Sequence, residues 1–231
     1  MDSRQILSAS QAARIIDISA VRAHHSYSDI KQLGALAKKH RFIGVHVLPC
    51  WTKQLAGTLA QYPDIYIGGA VGFPSGGHAT AIKLAEAEQL INDGARELDI
   101  VMNVGKFLSG EHSYVMDELK QLIEFAEPLG VTTKVIIEMG ALTDSQVETA
   151  CELVVESGAC YIKTGTGWVP GSADITRVAH IKQICADKIK IKVAGGIRTP
   201  EQFLELYALG VERMGINTAT AIGIVSYFKP A

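Results

Sequence analysis

Eight short apolar, β-branched runs recur along the chain, at residues 15–19, 42–48, 65–71, 97–102, 134–139, 160–164, 189–194 and 213–217. Helical patterns separate them. Strands that alternate with helices predict a parallel sheet, and eight such units predict a closed (β/α)8 barrel, a TIM barrel of the α/β class. The length agrees, because 231 residues shared among eight units leaves about 29 for each, within the span of a βα repeat. Polar residues keep the same interval: Asp17 to His46 is 29 residues, Lys163 to Lys192 is 29, and Asp99 to Lys163 is 64, or two units of 32. They are therefore predicted at like positions on different strands.

The intervening stretches carry helix signals. Residues 79–93 place Ile82, Leu84, Ala85, Leu90 and Ile91 at helical spacing and stop at Gly94, a suitable C-terminal residue. Thr143-Asp144-Ser145-Gln146 reads as a capping box, and so does Thr199-Pro200-Glu201-Gln202, with proline at the first helical position. No linker, low-complexity tract or internal repeat interrupts the pattern. The prediction is one barrel domain over residues 1–231. A doubly wound open sheet is the alternative, but no GxGxxG turn follows a first strand.

Net charge is −2, from 22 basic and 24 acidic residues that are well mixed, which argues against nucleic-acid or anionic-membrane partners. No apolar run approaches the roughly 18 residues of a membrane span. The opening Met1-Asp2-Ser3-Arg4-Gln5 has no basic region leading into an apolar stretch, so no signal peptide is expected. Cys50, Cys151, Cys160 and Cys185 show no CxxC spacing and are expected to be free thiols. A cytoplasmic enzyme is the expectation.

Side chains alternate faces along a strand. In Lys190-Ile191-Lys192-Val193 the apolar set suits packing on outer helices, which turns both lysines into the barrel. The same parity pairs Tyr161 with Lys163, Ile136 with Glu138, and Glu97 with Asp99. Two inward layers follow, about 6–7 Å apart. The upper holds Asp99, Lys163 and Lys192, with Glu138 level with them. The lower is expected to pair Glu97 with Lys190. Barrel active sites sit at the C-terminal mouth, so the upper layer is the candidate.

An amine attacks a carbonyl only when neutral, and free lysine titrates near 10.4. Burial and a neighbouring ammonium both lower that value. Lys163 and Lys192 on adjacent strands suit a Schiff-base nucleophile and its activating charge, with Asp99 as general acid/base. A structural ion-pair network would use the same residues, and spacing alone does not separate the two readings.

Several motifs in one order carry a family resemblance. Glu97-Leu98-Asp99-Ile100-Val101, Lys134-Val135-Ile136-Ile137-Glu138, Tyr161-Ile162-Lys163-Thr164-Gly165-Thr166-Gly167 and Lys192-Val193-Ala194-Gly195-Gly196-Ile197-Arg198-Thr199 resemble the motifs of deoxyribose-phosphate aldolases. The turn Val71-Gly72-Phe73-Pro74-Ser75-Gly76 is similar too, and the match spans roughly residues 64–215. The resemblance implies a class I aldolase on a (β/α)8 barrel. Such an enzyme reversibly joins acetaldehyde and glyceraldehyde 3-phosphate into 2-deoxyribose 5-phosphate, without metal or cofactor. By position it makes Lys163 the Schiff-base lysine, Lys192 the pKa-lowering lysine and Asp99 the proton relay. The implied partners are a small aldehyde and a sugar or sugar phosphate, and barrel enzymes often form homo-oligomers.

The resemblance also names a substrate shell: Asp17, Ser19, His46, Glu138, Thr164, Gly195, Gly196, Asn217 and Thr218. Here the chain departs from the family. Asp17-Ile18-Ser19-Ala20-Val21-Arg22 replaces an Asp-His-Thr-x-Leu-Lys-like strand, His46 stands where cysteine is usual, and Gly165 replaces a serine. Gly215-Ile216-Asn217-Thr218-Ala219 replaces a Gly-Thr-Ser-Ser-Gly phosphate cradle and lacks two of its hydroxyls. The lysine machinery is intact and the aldehyde-binding shell is altered, so an aldehyde differing from the family's usual pair is expected.

The remaining candidates have two readings each. His46 contacts a substrate or packs as a hydrogen-bonded core residue. Arg22, His24 and His25 form a polar rim or a solvated loop. Asn103 orients a substrate or caps a turn. Gly195 and Gly196 offer amides to a phosphate, although a tight turn alone requires them. Trp168 walls the site or packs locally, and Tyr227 reaches over the mouth or packs in the core. A phosphosugar isomerase or epimerase on the same barrel, and a sugar-binding protein with a degraded site, are the competing functions, because fold alone does not fix chemistry.

Overall fold

The computed structural model describes residues 7–229. Its strands are β1 (Ile16–Ala20), β2 (Gly44–Val47), β3 (Tyr66–Val71), β4 (Glu97–Val101), β5 (Thr132–Ile136), β6 (Tyr161–Lys163), β7 (Lys190–Ala194) and β8 (Arg213–Asn217). All pair in parallel in sequence order, and β8 closes on β1. The helices are α1 (Ala9–Ala13), α2 (Tyr27–His40), α3 (Thr52–Leu59), α4 (Thr80–Asn92), α5 (Val104–Leu108), α6 (His112–Ala126), α7 (Asp144–Glu156), α8 (Ile175–Cys185), α9 (Pro200–Ala208) and α10 (Thr218–Tyr227). The expected (β/α)8 barrel is the fold observed. Among the described residues no helix is long and apolar enough to cross a membrane.

The two side-chain parities of the strands explain the layers. Ile18, Val45, Leu98, Ile100, Val135, Ile162, Ile191 and Val193 are fully buried between strands and helices, where about 25 cal/mol is gained per Å² of apolar surface removed from water. The opposite parity fills the barrel with charge. Lys134 and Lys192 inside the barrel, and Lys83 on α4 behind its wall, are among the largest fully buried side chains, and each has a carboxylate partner: Glu97 at 2.5 Å, Asp17 at 2.7 Å and Glu118 at 2.6 Å. Pairing is what makes such burial tolerable.

Caps fix several helix starts. Thr143 and Gln146 form the reciprocal box that opens α7. At α9 the box is only half made. Thr199 Oγ1 accepts from Gln202 N, but the Gln202 side chain accepts from Arg198 N instead of Thr199 N.

Two expectations need correction. The fifth strand stops at Ile136 and does not run to residue 139, because Glu138 turns into the left-handed region (φ 52°, ψ 55°) and leads into a short 3-10 turn. The floor is not a Glu97–Lys190 pair. Lys190 opens β7 at the solvent end of the barrel and is exposed, where a long side chain keeps its ammonium hydrated at little cost. Its ammonium approaches the Tyr161 ring at 5.5 Å. Glu97 is met instead by Lys134 and by Arg213, whose Nη2 also bridges to Asp17.

Candidate active site

The strands deliver their last inward residues to a cavity of about 330 Å³ at the C-terminal mouth. Lys163 and Lys192 are register partners across β6 and β7. Asp99 is level with Lys134 and therefore lower in the stagger, yet the long lysines reach down to it. Lys163 Nζ donates to Asp99 Oδ2 at 2.7 Å, and Lys192 Nζ donates to the same oxygen at 2.8 Å. The expected trio is brought together.

The two lysines differ in what surrounds them. Lys192 Nζ donates to Asp99 Oδ2 and meets His46 Nε2, each at 2.8 Å, and its charge faces Asp17 Oδ2 at 2.7 Å as an ion pair. Burial works against its charge, but Asp17 and Asp99 outweigh burial and raise its pKa. Lys163 has one carboxylate, already shared. Burial is the main force lowering its pKa to about 8, Asp99 opposes, and Lys192 adds a further push downward. Lys163 is thus the amine that can be neutral, and Lys192 is the fixed charge.

The anions are held accordingly. Burial disfavours the Asp99 carboxylate, but Lys163 and Lys192 overcome it and keep its pKa well below the ordinary value. Asp17 is depressed in the same way by Arg213 and Lys192 against the effect of burial. Burial and the Lys192 charge push His46 down to about 3. His46 is therefore neutral and accepts from Lys192 through Nε2, while its buried Nδ1 has no protein partner. The ring lies over Gly68, where a Cβ would come within 1.8 Å of Nδ1. Only glycine leaves room there.

Asp17, His46 and Glu97 bring ligand atoms within 4.8 Å of one another, close enough for a metal ion. Arg213 and Lys192 already stand among those atoms. The donor set therefore meets its charge balance with protein cations.

The expected shell divides into residues on the cavity wall and residues away from it. Asp17, Ser19, His46, Gly195, Gly196, Asn217 and Thr218 line the cavity. Asn217 is committed to its own helix, accepting from Thr220 N at 3.0 Å and donating to Thr220 Oγ1 at 2.9 Å. Thr164 does not line the cavity. It has the opposite parity, and its Oγ1 accepts from Ala194 N and donates to Ala194 O, bracing β6 against β7. Glu138 is not level with the lysines either. Its left-handed backbone turns the carboxylate toward the β6–α8 loop, where Thr166 N, Thr166 Oγ1 and Ser172 Oγ donate to it. Gly165 follows from this packing, because a Cβ there would lie 2.1 Å from Ser172 Oγ.

The rim joins three loops. Arg22 donates to Gly167 O at 2.8 Å and stacks 4.9 Å above Trp168, whose ring meets Phe73 edge-on at 6.0 Å. His25 lines the cavity and accepts from Arg22 N through Nδ1, while His24 is exposed. Asn103 caps α5 by accepting from Lys106 N. Tyr227 packs edge-on against Phe228 near the end of α10. All four cysteines are free thiols. Lys134 and Arg213 are the interior residues that sequence reasoning missed. Lys134 shares the inward parity of Glu138, and Arg213 is a lone charge opening an apolar strand, so both left a signal.

Comparison with known proteins agrees with this geometry. A family model described as DeoC/LacD family aldolase matches residues 1–227. The deoxyribose-phosphate aldolase of Klebsiella pneumoniae is 45% identical over 207 residues, covering 89% of this chain and 82% of the relative. That of Sinorhizobium medicae is 43% identical over 213 residues, covering 92% and 85%. Among solved structures, the tetrameric deoxyribose phosphate aldolase of Aeropyrum pernix superposes with a TM-score of 0.85 at 25% identity, covering 95% of this chain and 91% of that one. The aldolase QR15 gives 0.86 at 30% identity, covering 93% and 94%.

Proposed function

The chain belongs to the DeoC/LacD family of aldolases, and from that premise we propose that it cleaves 2-deoxyribose 5-phosphate reversibly through a Schiff base on Lys163. The products are acetaldehyde and glyceraldehyde 3-phosphate. The single observation that carries this reading is the pair of lysines sharing Asp99 Oδ2, of which only Lys163 has its pKa lowered.

The neutral amine of Lys163 adds to the sugar's aldehyde carbon. Forming that neutral amine removes the positive charge closest to Asp99, so the carboxylate becomes a stronger base when a proton must be moved. Asp99, 2.7 Å from the amine, passes protons as the carbinolamine loses water. The resulting iminium draws electrons from the C2–C3 bond while the C3 hydroxyl gives up its proton. Glyceraldehyde 3-phosphate leaves, and an enamine remains on Lys163. Protonation at carbon and hydrolysis release acetaldehyde. Lys192 keeps its proton throughout and supplies a fixed charge in a dry site. The backbone of Gly195 and Gly196 and the hydroxyl of Thr218, all on the cavity wall, suit the phosphate.

The tetrameric relative from Aeropyrum pernix supports a homo-oligomer for this chain. The free thiols support a reducing cytoplasmic setting. Incubation with acetaldehyde and borohydride tests the central step. A mass addition at Lys163, lost in Lys163→Leu, is expected; an unmodified protein, or modification that survives the substitution, would remove the reading.

A further inference from the structure

We propose that Glu97, Lys134 and Arg213, which do not line the catalytic cavity, are positioning residues of the aldol reaction: they close a balanced ring of charge that leaves Lys163 as the surplus cation. This rests on the aldolase reading above and gives the floor of the same barrel a part in it.

The ring is made by buried side chains from β1, β4, β5, β7 and β8, acids alternating with bases. Asp99 Oδ1 meets Lys134 Nζ at 3.4 Å, and Lys134 donates to Glu97 Oε2 at 2.5 Å. The Glu97 carboxylate accepts from Arg213 Nη1 and Nη2 at 3.1 and 3.0 Å. Arg213 Nε donates to Asp17 Oδ1 at 3.2 Å, Asp17 Oδ2 faces Lys192 Nζ at 2.7 Å, and Lys192 returns to Asp99 Oδ2 at 2.8 Å. Even the most exposed member, Arg213, shows only 4% of its surface. Asp17, Glu97 and Asp99 are thus matched by Lys134, Lys192 and Arg213, and each member touches two of opposite sign.

Lys163 stands outside this count. Its Nζ joins at Asp99 Oδ2, the oxygen that Lys192 already holds. Protonated, it is a cation with no carboxylate of its own; neutral, it leaves the interior balanced. A dry interior penalises unmatched charge. Against burial, Arg213 is the foremost cation keeping Asp17 ionised, and Lys134 adds to both Asp17 and Asp99. The floor therefore commits the counter-charges that Lys163 would otherwise share.

The other groups around Lys163 carry no ring charge. His46 from β2 is neutral, β3 presents Ala70, Tyr161 precedes Lys163 on β6, and Arg22, His25 and Arg198 line the same cavity. All of them stay the same in the variants below, so they set a constant background.

The test is the acid limb of kcat/KM for 2-deoxyribose 5-phosphate. Glu97→Gln takes a carboxylate from the ring, and the limb moves to lower pH by about one unit, the order of one buried charge acting from a neighbouring layer. At about pH 6.5 its rate relative to its own plateau then exceeds the wild-type ratio by about tenfold. Lys134→Met takes a cation, the charge on Lys163 completes the balance, and the limb moves to higher pH. Glu97→Gln combined with Lys134→Met returns the limb to its wild-type place, and Glu97→Asp, which keeps the charge, leaves it there. Should either single variant fail to fold, Arg213→Gln against Arg213→Lys tests the ring from its other side, with a limb moved to higher pH only in the first. A limb that stays in place when ring charges are removed, or moves the same way for an acid and a base, while acetaldehyde and borohydride still mark Lys163, overturns this proposal alone. A wild-type protein left unmarked overturns the aldolase reading together with it.

Discussion

Lys163 and Lys192 sit side by side on neighbouring strands and bond the same oxygen of Asp99, at 2.7 and 2.8 Å. Their remaining contacts set opposite outcomes. Lys192 has Asp17 as a second carboxylate and stays charged, whereas Lys163 has none and its pKa falls to about 8.

The pH dependence of kcat/KM follows from that split, because it reports groups of the free enzyme. Below about 8 Lys163 holds its proton and activity falls by about tenfold per pH unit. Above it the rate reaches a plateau, since Lys192 keeps its charge to higher pH. Lys192→Met removes the like charge, so the Lys163 pKa rises and the acid limb moves to higher pH. A wild-type limb near the free lysine value, or one that Lys192→Met leaves in place, would contradict the assignment of roles.

His46 and Gly68 are coupled by shape. With a Cβ at position 68 only 1.8 Å from His46 Nδ1, Gly68→Ala forces the ring off its acceptor position beside Lys192. Overpacking of this kind costs about 1–3 kcal/mol. In a His46→Ala background the added methyl has room, so the double variant is more stable than the sum of the single changes by about 0.5–3 kcal/mol. Chemical denaturation of the four proteins measures that coupling; simple additivity would show that the two positions do not contend for the same space.

The fold was legible because the strand period and the roughly 29-residue unit agree along the whole chain. Lys163, Lys192 and Asp99 were legible because parity and interval place them together. Glu138 was not. Its parity is correct through Ile136, and the chain then enters a left-handed turn that alternation cannot anticipate. Thr164 was misplaced for a simpler reason: a motif assigned it to the substrate, while its neighbour Lys163 already occupied the inward face. Glu97 was paired with the wrong lysine because equal height in a staggered barrel depends on register, which carries Lys190 level with Asp99 and not with Glu97, and Lys190 is exposed at the N-terminal end of β7.

Acid stability should report the Asp17 site. Arg213 and Lys192 overcome the effect of burial and lower the Asp17 pKa. A carboxylate depressed in the folded state contributes stability above its unfolded value of about 3.9, and that contribution is lost as pH falls through the folded value. Asp17→Asn is therefore destabilising at pH 7. The difference from wild type shrinks as the pH drops below about 4. Thermal midpoints of both proteins across that range provide the measurement, and a difference that stays constant with pH would mean that Asp17 is not ionised in the folded protein.

Lys83 and Glu118 form a second buried pair, behind the wall and away from the cavity. Lys83 Nζ donates to Glu118 Oε1 at 2.6 Å and to Val101 O at 2.8 Å, tying α4 to α6 and to the end of β4. Burial lowers the Lys83 pKa and Glu118 opposes it, so the charge depends on its partner. Lys83→Met leaves Glu118 buried without its cation, and breaking such a pair costs about 3–5 kcal/mol. Lys83→Met combined with Glu118→Leu removes both charges and is expected to recover most of that loss, because well-packed apolar replacements of buried pairs are often neutral. Denaturant midpoints decide the matter. A double variant as unstable as Lys83→Met would show that the bond to Val101 O, and not the ion pair, holds this corner of the barrel.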